Sequence, residues 1–463
     1  MPSEKKFPEI KSLSLPEGLI PKLTEAANLI KTTNAQIRVI SHYDADGLTA
    51  GALLCALLLR QRKRFHISLV HNLDPDSELF TVLSGAGPQL KIFSDMGTGQ
   101  FKSIAGLPGW NIILDHHRLN DMKEVKNIIH INVHLFGLNG TFEISGATLA
   151  FLLAISISSQ NWDLIKIALA GAIGDKQNKN GFKGLNEMLM RTAVDLGLIK
   201  EDLELKLRGT NVLEALVTST DPYFVGISNN EDRVKKLLQS LHIDPNTKLN
   251  ALEKPAMKRL ASYLTIKLLE QNVPPEDAED MITKKYRSSD VDVDLEEYSH
   301  QINSCGRMNQ MGVGVAMCLG DVKAMEQAVE LRKEYKKKIR EGLKRLEKEG
   351  LLEMQNIQYF YESVPEFAGT FAGIGMMYFF NQNKPVITLT KTDKDIRISG
   401  RGTKRLVESG LDMAIVLSKV ASELGGTGGG HNVAAGATIP LENEDKFLEM
   451  VDKLVGEQLN HEK

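Results

Sequence analysis

Short apolar segments alternate with longer apolar stretches along the first third of the chain. The short segments have the length of strands, and the longer ones have the length of helices. Strands separated by helical stretches are typical of a mostly parallel α/β sheet. The predicted strands are residues 36–40, 66–70, 90–94, 111–114 and 128–133, and the predicted helices are residues 48–60, 144–155 and 164–173.

The hydrophobic pattern changes after this region. From about residue 186 to residue 298 it is amphipathic and helical, with helices predicted at 255–269 and 275–285. Each of these two begins with a proline, which suits the first position of a helix. A long, highly charged amphipathic helix is predicted at 322–350, where it ends at a glycine.

A second α/β unit is predicted after the long helix. Strands are expected near 357–361, 385–389 and 396–399, followed by a glycine-rich turn at 425–430. The predicted fold class is therefore α/β, with two α/β domains joined by helical segments. The predicted segments are a mostly parallel-sheet domain at 1–189, a helical insertion at 190–298, a return segment at 299–321, a connecting helix at 322–350 and a smaller C-terminal α/β domain at 351–463.

Composition narrows the class of protein. Hydrophobic residues make up 42% and charged residues 25% of the chain, which excludes wholesale disorder. The net charge of −3 argues against a protein that coats duplex DNA, so a phosphate-bearing partner would need a local basic patch. Cys55, Cys305 and Cys318 are too few for a disulfide framework or a zinc cluster, and we expect reduced packing residues.

Neither a membrane span nor an N-terminal leader is predicted. The longest largely apolar run, residues 48–59, is too short to cross a bilayer and contains Gly51. Residues 1–6 are not followed by the apolar segment that a signal peptide requires. The sequence therefore predicts a cytoplasmic protein that does not bind membranes.

Three potential metal ligands follow the first predicted strand. They are His42, Asp44 and Asp46, and an extended backbone would point all three side chains to one side. Carboxylates that lie so close repel one another unless a cation holds them. By itself the motif is equally compatible with a turn rich in Asp, because Asp favours turns and helix N-caps.

The same pattern recurs at three further points. Asp95 follows another apolar strand, Asp115, His116 and His117 follow a third, and Asp175 ends a further apolar stretch. Ligands collect outside the carboxyl ends of the strands in open α/β sheets. Four separate segments that end in oxygen or nitrogen donors together predict a metal site.

The type of donor predicts the metal and its chemistry. Carboxylates and imidazoles without a thiolate suit Mn²⁺ or Mg²⁺ better than a structural zinc. The donors suffice for two ions that share a bridging carboxylate, and two ions about 3.5–4 Å apart activate water and stabilise charge at a phosphoryl group. We therefore predict hydrolysis of a phosphate ester or anhydride.

A glycine-rich segment near the C-terminus is a candidate phosphate site. Gly428, Gly429 and Gly430 precede His431, and a glycine turn that opens a helix exposes backbone N–H groups to an anion. Glycine turns are common, so this signal depends on the others. We expect His431 to donate a hydrogen bond to a phosphate rather than to pack inside the domain.

Basic residues supply further candidates. Alternation along a strand places Arg397, Ser399 and Arg401 on one face, and Arg307 lies elsewhere in the sequence. A guanidinium matches the geometry of a phosphate with two parallel hydrogen bonds. The alternative for each single arginine is a solvated surface charge.

Together these motifs resemble the DHH phosphoesterase superfamily, and in particular its RecJ-like archaeal branch. The resemblance comes from both ends of the chain, and the pairing of the Asp-His-His triplet with the Gly-Gly-Gly-His loop is specific. The matching segments are His42-Tyr-Asp-Ala-Asp-Gly47, Asp95, Asp115-His-His117, Ser145-Gly-Ala147, Asp175, Asn303-Ser-Cys-Gly-Arg307 and residues 425–431.

The resemblance implies two ions and a role for each site residue. One ion would be held by His42, Asp44 and Asp95, and the other by Asp46, Asp95, His116 and Asp175, so that Asp95 bridges them. By the same resemblance His117 would face the scissile phosphate and Asp115 would orient the histidines. The phosphates of the bound strand would be held by Arg307, Arg401 and His431.

The leading hypothesis is an exonuclease for single-stranded DNA or RNA in replication or repair. The helical region near 190–298 resembles an insertion in archaeal relatives of a eukaryotic replicative-helicase subunit, which implies a helicase or replisome component as a partner. His42 stands where bacterial RecJ has an Asp, which leaves the polarity of degradation and the DNA or RNA preference open.

Other functions are compatible with the same residues. A phosphodiesterase for short oligoribonucleotides or cyclic dinucleotides, or a phosphatase for nucleotide phosphates, would use the same donors. A catalytically silent replisome scaffold is a further alternative, although a scaffold has no need of a complete set of metal ligands.

Overall fold

The structure is a computed structural model that describes residues 7–85, 90–119, 125–179, 181–290 and 293–460. The prediction that no leader is present concerns residues 1–6, and these lie outside the described residues. The chain divides into two compact units. The first comprises Met1–Leu203 with Lys284–Tyr335, and the second comprises Glu204–Thr283 with Lys336–Lys463.

The strands and helices are numbered in chain order. The strands are β1 (Ile37–His42), β2 (Phe65–Val70), β3 (Leu90–Ser94), β4 (Trp110–Asp115), β5 (Ile128–Asn132), β6 (Ile199–Leu205), β7 (Ile282–Ser288), β8 (Leu352–Glu353), β9 (Gln358–Tyr361), β10 (Val386–Lys391), β11 (Asp395–Arg401), β12 (Thr427–Gly430) and β13 (Ala434–Pro440). The helices are α1 (Leu19–Thr32), α2 (Ala45–Arg60), α3 (Glu78–Ser84), α4 (Phe101–Ala105), α5 (Gly146–Ile157), α6 (Ile165–Gly174), α7 (Gly184–Asp195), α8 (Val212–Val217), α9 (Glu231–Ser240), α10 (Lys254–Glu270), α11 (Pro275–Ala278), α12 (Leu295–Arg307), α13 (Met311–Cys318), α14 (Val322–Glu349), α15 (Pro365–Tyr378), α16 (Lys404–Glu408), α17 (Met413–Glu423) and α18 (Glu444–Asn460). Short 3-10 helices lie at Ile10–Ser12, Val133–Phe136, Ser159–Leu164, Leu249–Ala251, Glu279–Met281 and Leu441–Asn443.

The first unit is built on a five-stranded sheet of order β2-β1-β3-β4-β5. All four neighbouring pairs are parallel, which confirms the predicted parallel α/β sheet. Side chains alternate between two apolar cores, so that Val39 and Ile92 enter one core while Ile40 and Phe93 enter the other. Both faces of the sheet are therefore buried, as parallel sheets require.

The order of the strands makes one edge of this sheet a candidate ligand site. The chain moves from β1 outward to β2 and then returns to place β3 on the other side of β1. Ligands bind where the strand order reverses, outside the carboxyl ends of the strands. β1 ends at His42, and Asp95 directly follows the last residue of β3.

Helix α2 leads away from this edge through the middle of the unit. Its residues from Ala45 to Leu58 are all buried, and it packs against α5 and α6. The small residues Gly51 and Gly171 permit close approach, because a Cβ at Gly51 would lie 2.9 Å from a methyl of Ile67 and one at Gly171 would lie 2.3 Å from the Thr49 hydroxyl. This packing fixes the first turn of α2 against the sheet.

The predicted helix at 275–285 is wrong over most of its length. A short helix begins as expected at Pro275 but ends at Ala278, and Ile282–Ser288 is strand β7. This strand pairs with β6 in a two-stranded sheet within a region predicted to be helical. The pairing partner is distant in sequence, so local periodicity does not show it.

The second unit contains a six-stranded sheet of order β12-β13-β11-β10-β9-β8. β9 and β10 are parallel, and the other neighbours are antiparallel. α15 packs against β10 and β11, and α17 packs against β12 and β13. A Cβ at Gly400 would contact Met413 of α17, whereas the neighbouring Arg401 lies beside Gly369 of α15, so these two helices cover opposite faces.

The predicted glycine turn that opens a helix is wrong. Gly428, Gly429 and Gly430 belong to β12, the strand at one edge of the sheet, and Ala434 begins the antiparallel strand β13. His431 lies in the tight connection, where its N–H donates to the Ala434 carbonyl at 2.8 Å. The exposed backbone groups therefore belong to a strand edge rather than to a helix N-terminus.

The helices between β6 and β7 belong to the second unit and contact the C-terminal part of α14. The Tyr223 hydroxyl donates to Glu347, and the Gly226 N–H donates to the same carboxylate at 3.2 Å. Arg340 donates to Asn229 at 2.8 Å. Polar contacts of this kind attach the inserted helices to the C-terminal half of the chain.

Two further predictions concern the cysteines and the membrane. Cys55, Cys305 and Cys318 are buried and carry no disulfide, which confirms the prediction of reduced packing residues. Among the described residues, no helix combines the length and the apolar character needed to cross a membrane.

Candidate metal centre

The predicted ligands of the first unit meet at the carboxyl edge of the parallel sheet. They lie in three groups whose donor atoms are all within 4.8 Å of one another inside each group. The groups are His42 with Asp44 and Asp95, Asp46 with His116 and Asp175, and Asp95 with His116 and His117. Asp95 and His116 each belong to two groups, so the seven side chains form one continuous cluster.

The prediction that His42, Asp44 and Asp46 share one face of an extended strand is wrong. β1 ends at His42, and Asp44 is the N-cap of α2, where its carboxylate accepts from the Gly47 N–H at 3.1 Å. Asp46 lies in the first helical turn. Because successive helical residues rotate by about 100°, Asp44 and Asp46 point to different groups of the cluster.

Asp95 lies between the two sides of the cluster. Its Oδ2 is 3.6 Å from Nδ1 of His42, and its Oδ1 is 3.1 Å from Nε2 of His116. The side chain is almost completely buried, and the backbone has a φ of 57°. The left-handed region is uncommon for residues other than glycine, although Asn, Asp and His adopt it more readily, and such conformations concentrate at functional sites.

His42 and Asp44 form the more exposed side of the cluster. His42 Nδ1 is 3.0 Å from Oδ2 of Asp44. Burial lowers the pKa of His42, but hydrogen bonds to Asp44 and Asp95 outweigh it and raise the pKa to about 11. Burial likewise opposes ionisation of Asp44, yet the same hydrogen bond lowers its pKa to about 2. In the metal-free protein a proton therefore takes the place of a cation here.

His116 is the centre of the buried side. Its Nε2 lies 3.1 Å from Asp95, 3.3 Å from Asp175 and 3.7 Å from Asp46. Burial opposes its charge, but the hydrogen bond to Asp95 and the neighbouring carboxylates raise its pKa well above the usual range. Burial and the charge of Asp46 raise the pKa of Asp175. Three carboxylates thus converge on one imidazole nitrogen.

Asp46 is completely buried and is held by the start of α5. Its oxygens accept from the Gly146 N–H at 2.7 Å and from the Ala147 N–H at 3.0 Å, where the helix dipole favours a negative charge. Burial and then the charge of Asp95 nevertheless raise its pKa to about 7. Gly146 is required, because a Cβ there would lie 2.7 Å from the Cβ of Asp95.

The chemistry of these donors fits a hard divalent cation. The donors are carboxylate oxygens and imidazole nitrogens, which Mn²⁺ and Mg²⁺ accept and which a structural zinc site of thiolates would not use. Burial first, and neighbouring carboxylates second, raise the pKa values of Asp46 and Asp175, so negative charge on these two groups is poorly compensated. A bound divalent cation would compensate this charge.

Asp115 supports both histidines from behind. Its Oδ1 accepts from the His116 N–H at 2.8 Å and from Nδ1 of His117 at 2.7 Å, while its Oδ2 accepts from the Thr98 N–H at 2.9 Å. Burial opposes ionisation, but the hydrogen bond from His117 outweighs it, and the pKa of Asp115 stays well below its usual range. His117 itself is exposed, and the bond to Asp115 raises its pKa.

Arg307 lies beside this cluster within the first unit. It donates to the Tyr43 hydroxyl at 2.8 Å, and its guanidinium carbon is 5.3 Å from the centre of the Tyr43 ring. Tyr43 in turn packs against His71, with ring centres 4.1 Å apart. The positive charge of Arg307 helps to lower the pKa of Asp44. The sequence analysis gave neither Tyr43 nor His71 a role in the site, because a tyrosine or a single histidine does not by itself indicate one.

The remaining predicted residues lie in the second unit and are described there. Arg397, Ser399 and Arg401 share one face of β11, as predicted, because the alternate residues Ile396 and Ile398 are buried. A Cβ at Gly369 of α15 would lie within 3.2 Å of both Ser399 and Arg401.

The same face of this sheet continues into two glycines. Ser399 is opposite Gly436 in β13, and Gly436 is opposite Gly429 in β12. His431 and both glycines are exposed. The part of this face that β12 and β13 form is therefore exposed and carries small residues, whereas Ser399 and Arg401 of β11 lie against α15.

Two domain families match the sequence. The N-terminal domain of the DHH family matches residues 36–174, and the DHHA1 domain matches residues 358–457. An uncharacterized protein of Methanocaldococcus jannaschii is 32% identical over 446 residues, which are 95% of this chain and 98% of that protein.

Solved structures share the fold at low sequence identity. Exonuclease RecJ bound to manganese gives a TM-score of 0.59 at 16% identity and covers 96% of this chain and 97% of that one. CDC45 from Entamoeba histolytica gives a TM-score of 0.69 at 12% identity and covers 94% and 99%. The two matched domains span both ends of the chain, and the acidic cluster lies at the edge of the first sheet. The chain therefore belongs to the DHH superfamily of phosphoesterases and has a RecJ-like fold.

Proposed function

We propose that this protein hydrolyses phosphodiester bonds in single-stranded nucleic acid with two divalent cations. One observation carries the proposal: the two oxygens of Asp95 face different imidazoles, His42 on one side and His116 on the other. A carboxylate in this position can bridge two ions. The expected holders are His42, Asp44 and Asp95 for one ion, and Asp46, Asp95, His116 and Asp175 for the other.

Manganese or magnesium is the proposed metal. The donor chemistry supports both ions, and the similar RecJ structures are described as bound to manganese, to Mn²⁺ or to Mg²⁺. When bound, two such ions supply an activated water and stabilise the charge on a phosphoryl group and its leaving oxygen.

The protein's own side chains would orient the phosphate and move the proton. Asp115 accepts from Nδ1 of His117, so Nε2 is the nitrogen left to face the substrate. Because this bond favours the protonated imidazole, His117 can donate a hydrogen bond to a phosphate oxygen or a proton to the leaving oxygen. Arg307 would hold a second phosphate oxygen, with its guanidinium oriented by Tyr43.

The C-terminal domain would hold the strand. We propose that residues 351–463 bind phosphates through Arg397, Ser399 and Arg401 on β11, and that Gly428, Gly429, Gly430 and His431 supply backbone and imidazole donors. The exposed glycines Gly429 and Gly436 support this proposal, since a strand can approach the sheet closely only where side chains are absent.

We further propose an exonuclease that acts in replication or repair with a helicase or replisome component as partner. The fold is similar to that of an exonuclease, RecJ, and to that of CDC45. The inserted helices attached to the C-terminal half of α14 would offer the partner a surface.

Degradation of end-labelled strands tests the proposal. Purified protein is incubated with Mn²⁺ and with single-stranded DNA or RNA, from dinucleotides to long strands, labelled at either end. We expect a ladder of products from long strands. The control is Asp95→Asn, which keeps a residue that tolerates the positive φ but removes the bridging carboxylate, and it should lose nearly all activity.

The outcomes separate the candidate functions. Full activity in Asp95→Asn would refute the metal assignment. Preference for dinucleotides over long strands would replace the exonuclease by a short-oligonucleotide phosphodiesterase. If the protein neither hydrolyses any strand nor binds Mn²⁺ in calorimetry, the catalytically silent scaffold would be the remaining function.

A further inference from the structure

A buried amide side chain lies behind the metal centre. Gln177 is almost completely buried in the turn that follows Asp175. Its Nε2 donates to the Gly140 carbonyl at 2.9 Å and to the Ile144 carbonyl at 3.2 Å. Its Oε1 accepts from Nδ2 of the buried Asn186 at 2.6 Å. The amide therefore has partners at both ends.

The Gly140 carbonyl connects this amide to the cluster. It lies 2.6 Å from Nδ1 of His116, and it can only accept, so Nδ1 must carry the proton. Nε2 is then the nitrogen that faces Asp95, Asp46 and Asp175. A Cβ at Gly140 would lie 1.9 Å from the His116 carbonyl oxygen, so glycine alone permits this approach.

The orientation of the Gln177 amide follows from its partners. Both Gly140 and Ile144 present carbonyl oxygens, so the nitrogen of the amide must face them. Asn186 donates to the oxygen and thereby prevents the amide from turning over. Gln177 thus holds the segment that presents the Gly140 carbonyl at two points, Gly140 and Ile144.

The same side chain is linked to a second proposed ligand. Asp175 is two residues before Gln177, and the Gln177 N–H donates to the Ala172 carbonyl at 3.0 Å. Lys176, between them, has a φ of 57°. A residue in this region must be held by its surroundings, and the buried amide of Gln177 holds the turn against residues 140–144.

We propose that Gln177 is a positioning residue for one of the two ions, acting through the Gly140 carbonyl on His116 and through its turn on Asp175. The inference rests on the proposed metal function and adds a residue that holds the proposed ligands in place. Partners that orient a metal-binding histidine are part of the site, and their loss costs about 10- to 100-fold in metal affinity or activity.

Calorimetric titration of the metal-free, full-length protein with Mn²⁺ tests this inference. The test variant is Gln177→Met, which keeps the length of the side chain but cannot donate to the two carbonyls. We expect two binding events in the wild type. In the variant, one should weaken by about 10- to 100-fold, and the other, which involves His42 and Asp44, should keep its affinity.

A second, milder variant tests the same contact in case Gln177→Met does not fold. Asn186→Ala leaves the Gln177 donors in place but frees the amide to turn over, so we expect a smaller loss, about fivefold, in the same ion. The matched control is Asn161→Ala. Asn161 is also a buried amide, but it bonds to Ala154 and Arg60, and Arg60 ends α2 roughly 20 Å from the first turn that carries Asp46.

Each outcome decides the inference. The control should bind both ions as the wild type does. Equal weakening of both ions in Gln177→Met, or unchanged affinity, would overturn the positioning role while leaving the metal centre intact. In a His116→Ala background the Gln177→Met change should leave the remaining ion, at His42 and Asp44, unaffected, and a further loss there would contradict the assignment of Gln177 to the ion at His116. A wild type that binds no Mn²⁺ would refute the metal centre and the inference together. Binding as expected without hydrolysis of any strand would refute the proposed function alone.

Discussion

Crowded negative charge is the dominant property of the residues in the candidate metal centre. Asp46 and Asp95 are buried within a cluster that also contains Asp44 and Asp175, and the groups that hold Asp46 are two backbone N–H donors. Such an arrangement is unfavourable for folding unless protons or cations neutralise it. A bound cation would therefore stabilise the folded protein at this point.

Asp115 is proposed to orient His116 and His117 without binding a metal ion itself, and a substitution can test this role. Asp115→Asn keeps the shape of the side chain but replaces one carboxylate oxygen by an NH₂ group. That group would face a donor, either the Thr98 N–H or the His116 N–H. We expect the free energy of unfolding of the metal-free protein to fall by about 1–3 kcal/mol, measured by urea denaturation. Hydrolysis should fall because His117 loses its orienting carboxylate.

Calorimetry distinguishes this role from direct binding. Asp115 belongs to neither set of proposed ion holders, so Asp115→Asn should still bind two Mn²⁺ ions. A variant that binds only one ion would show that Asp115 is itself a ligand.

The sequence predicts the ionisable residues of the centre better than their surroundings. His42, Asp95 and Asp115 could be identified because each follows an apolar strand, and strand ends meet at one edge. Gln177 and Tyr43 could not, since their roles depend on partners distant in the sequence. The directions of Asp44 and Asp46 were mispredicted because the backbone becomes helical immediately after Asp44.

At the level of single elements, the three glycines of the edge strand β12 are not equally necessary for the fold. A Cβ at Gly428 would lie 2.9 Å from the Leu417 carbonyl oxygen, and Gly430 has a φ of 142°. A Cβ at Gly429 would meet nothing within 4 Å. The fold therefore requires the outer two glycines but not the middle one.

This difference predicts the effect of Gly429→Ala. The free energy of unfolding should stay the same or rise by up to about 1 kcal/mol, because alanine restricts the unfolded chain. If β12 contacts the substrate, the KM for single strands should rise several-fold. Thermal denaturation and steady-state kinetics measure the two effects.

Gly428→Ala is the matched comparison. It should lower the melting temperature, because the Leu417 backbone must move. An unchanged KM in Gly429→Ala would remove β12 from the substrate site.

The basic face of β11 gives a second prediction for an element. Arg397 is largely exposed, and its nearest carboxylate, Asp395, is 4.0 Å away. Arg397→Ala should change stability by no more than about 0.5 kcal/mol but weaken binding to single strands and reduce the salt slope by about 0.7 per lost phosphate contact. Fluorescence anisotropy with labelled strands at several salt concentrations measures both, and an unchanged slope would mean that Arg397 is only a surface charge.

Strand pairing explains the elements that the sequence mispredicted. β7 was assigned to a helix because Pro275 and two acidic residues form a good helix start, but its partner β6 lies far upstream. β12 was assigned to a turn because glycine is rare within strands, yet its pairing with β13 stabilises it. The parallel sheet was predicted well because its segments are locally apolar and separated by helices.

For the whole molecule, ion binding and proton release are coupled. In the metal-free protein the pKa of Asp46 is raised to about 7 and that of His42 to about 11. The folded state thus retains protons that the unfolded chain gives up near pH 4 and 6.5. Stability without metal should therefore fall as the pH rises above about 4 through Asp46, and above about 6.5 through His42.

The same protons compete with Mn²⁺. Since the donors must be deprotonated to bind, the increase in melting temperature caused by a fixed Mn²⁺ concentration should grow from pH 5.5 to pH 8. Differential scanning fluorimetry measures this increase, and calorimetry in buffers of different ionisation enthalpy counts the released protons. A stabilisation that is independent of pH would show that Mn²⁺ binds outside the cluster.

The location of the ions tests the central claim most directly. Crystals soaked in Mn²⁺ would be measured at the manganese absorption edge, where anomalous scattering identifies the metal. We expect two peaks about 3.5–4 Å apart, on either side of the Asp95 carboxylate, one beside His42 and the other beside His116. A single peak away from Asp95, or no peak within the cluster, would contradict the account.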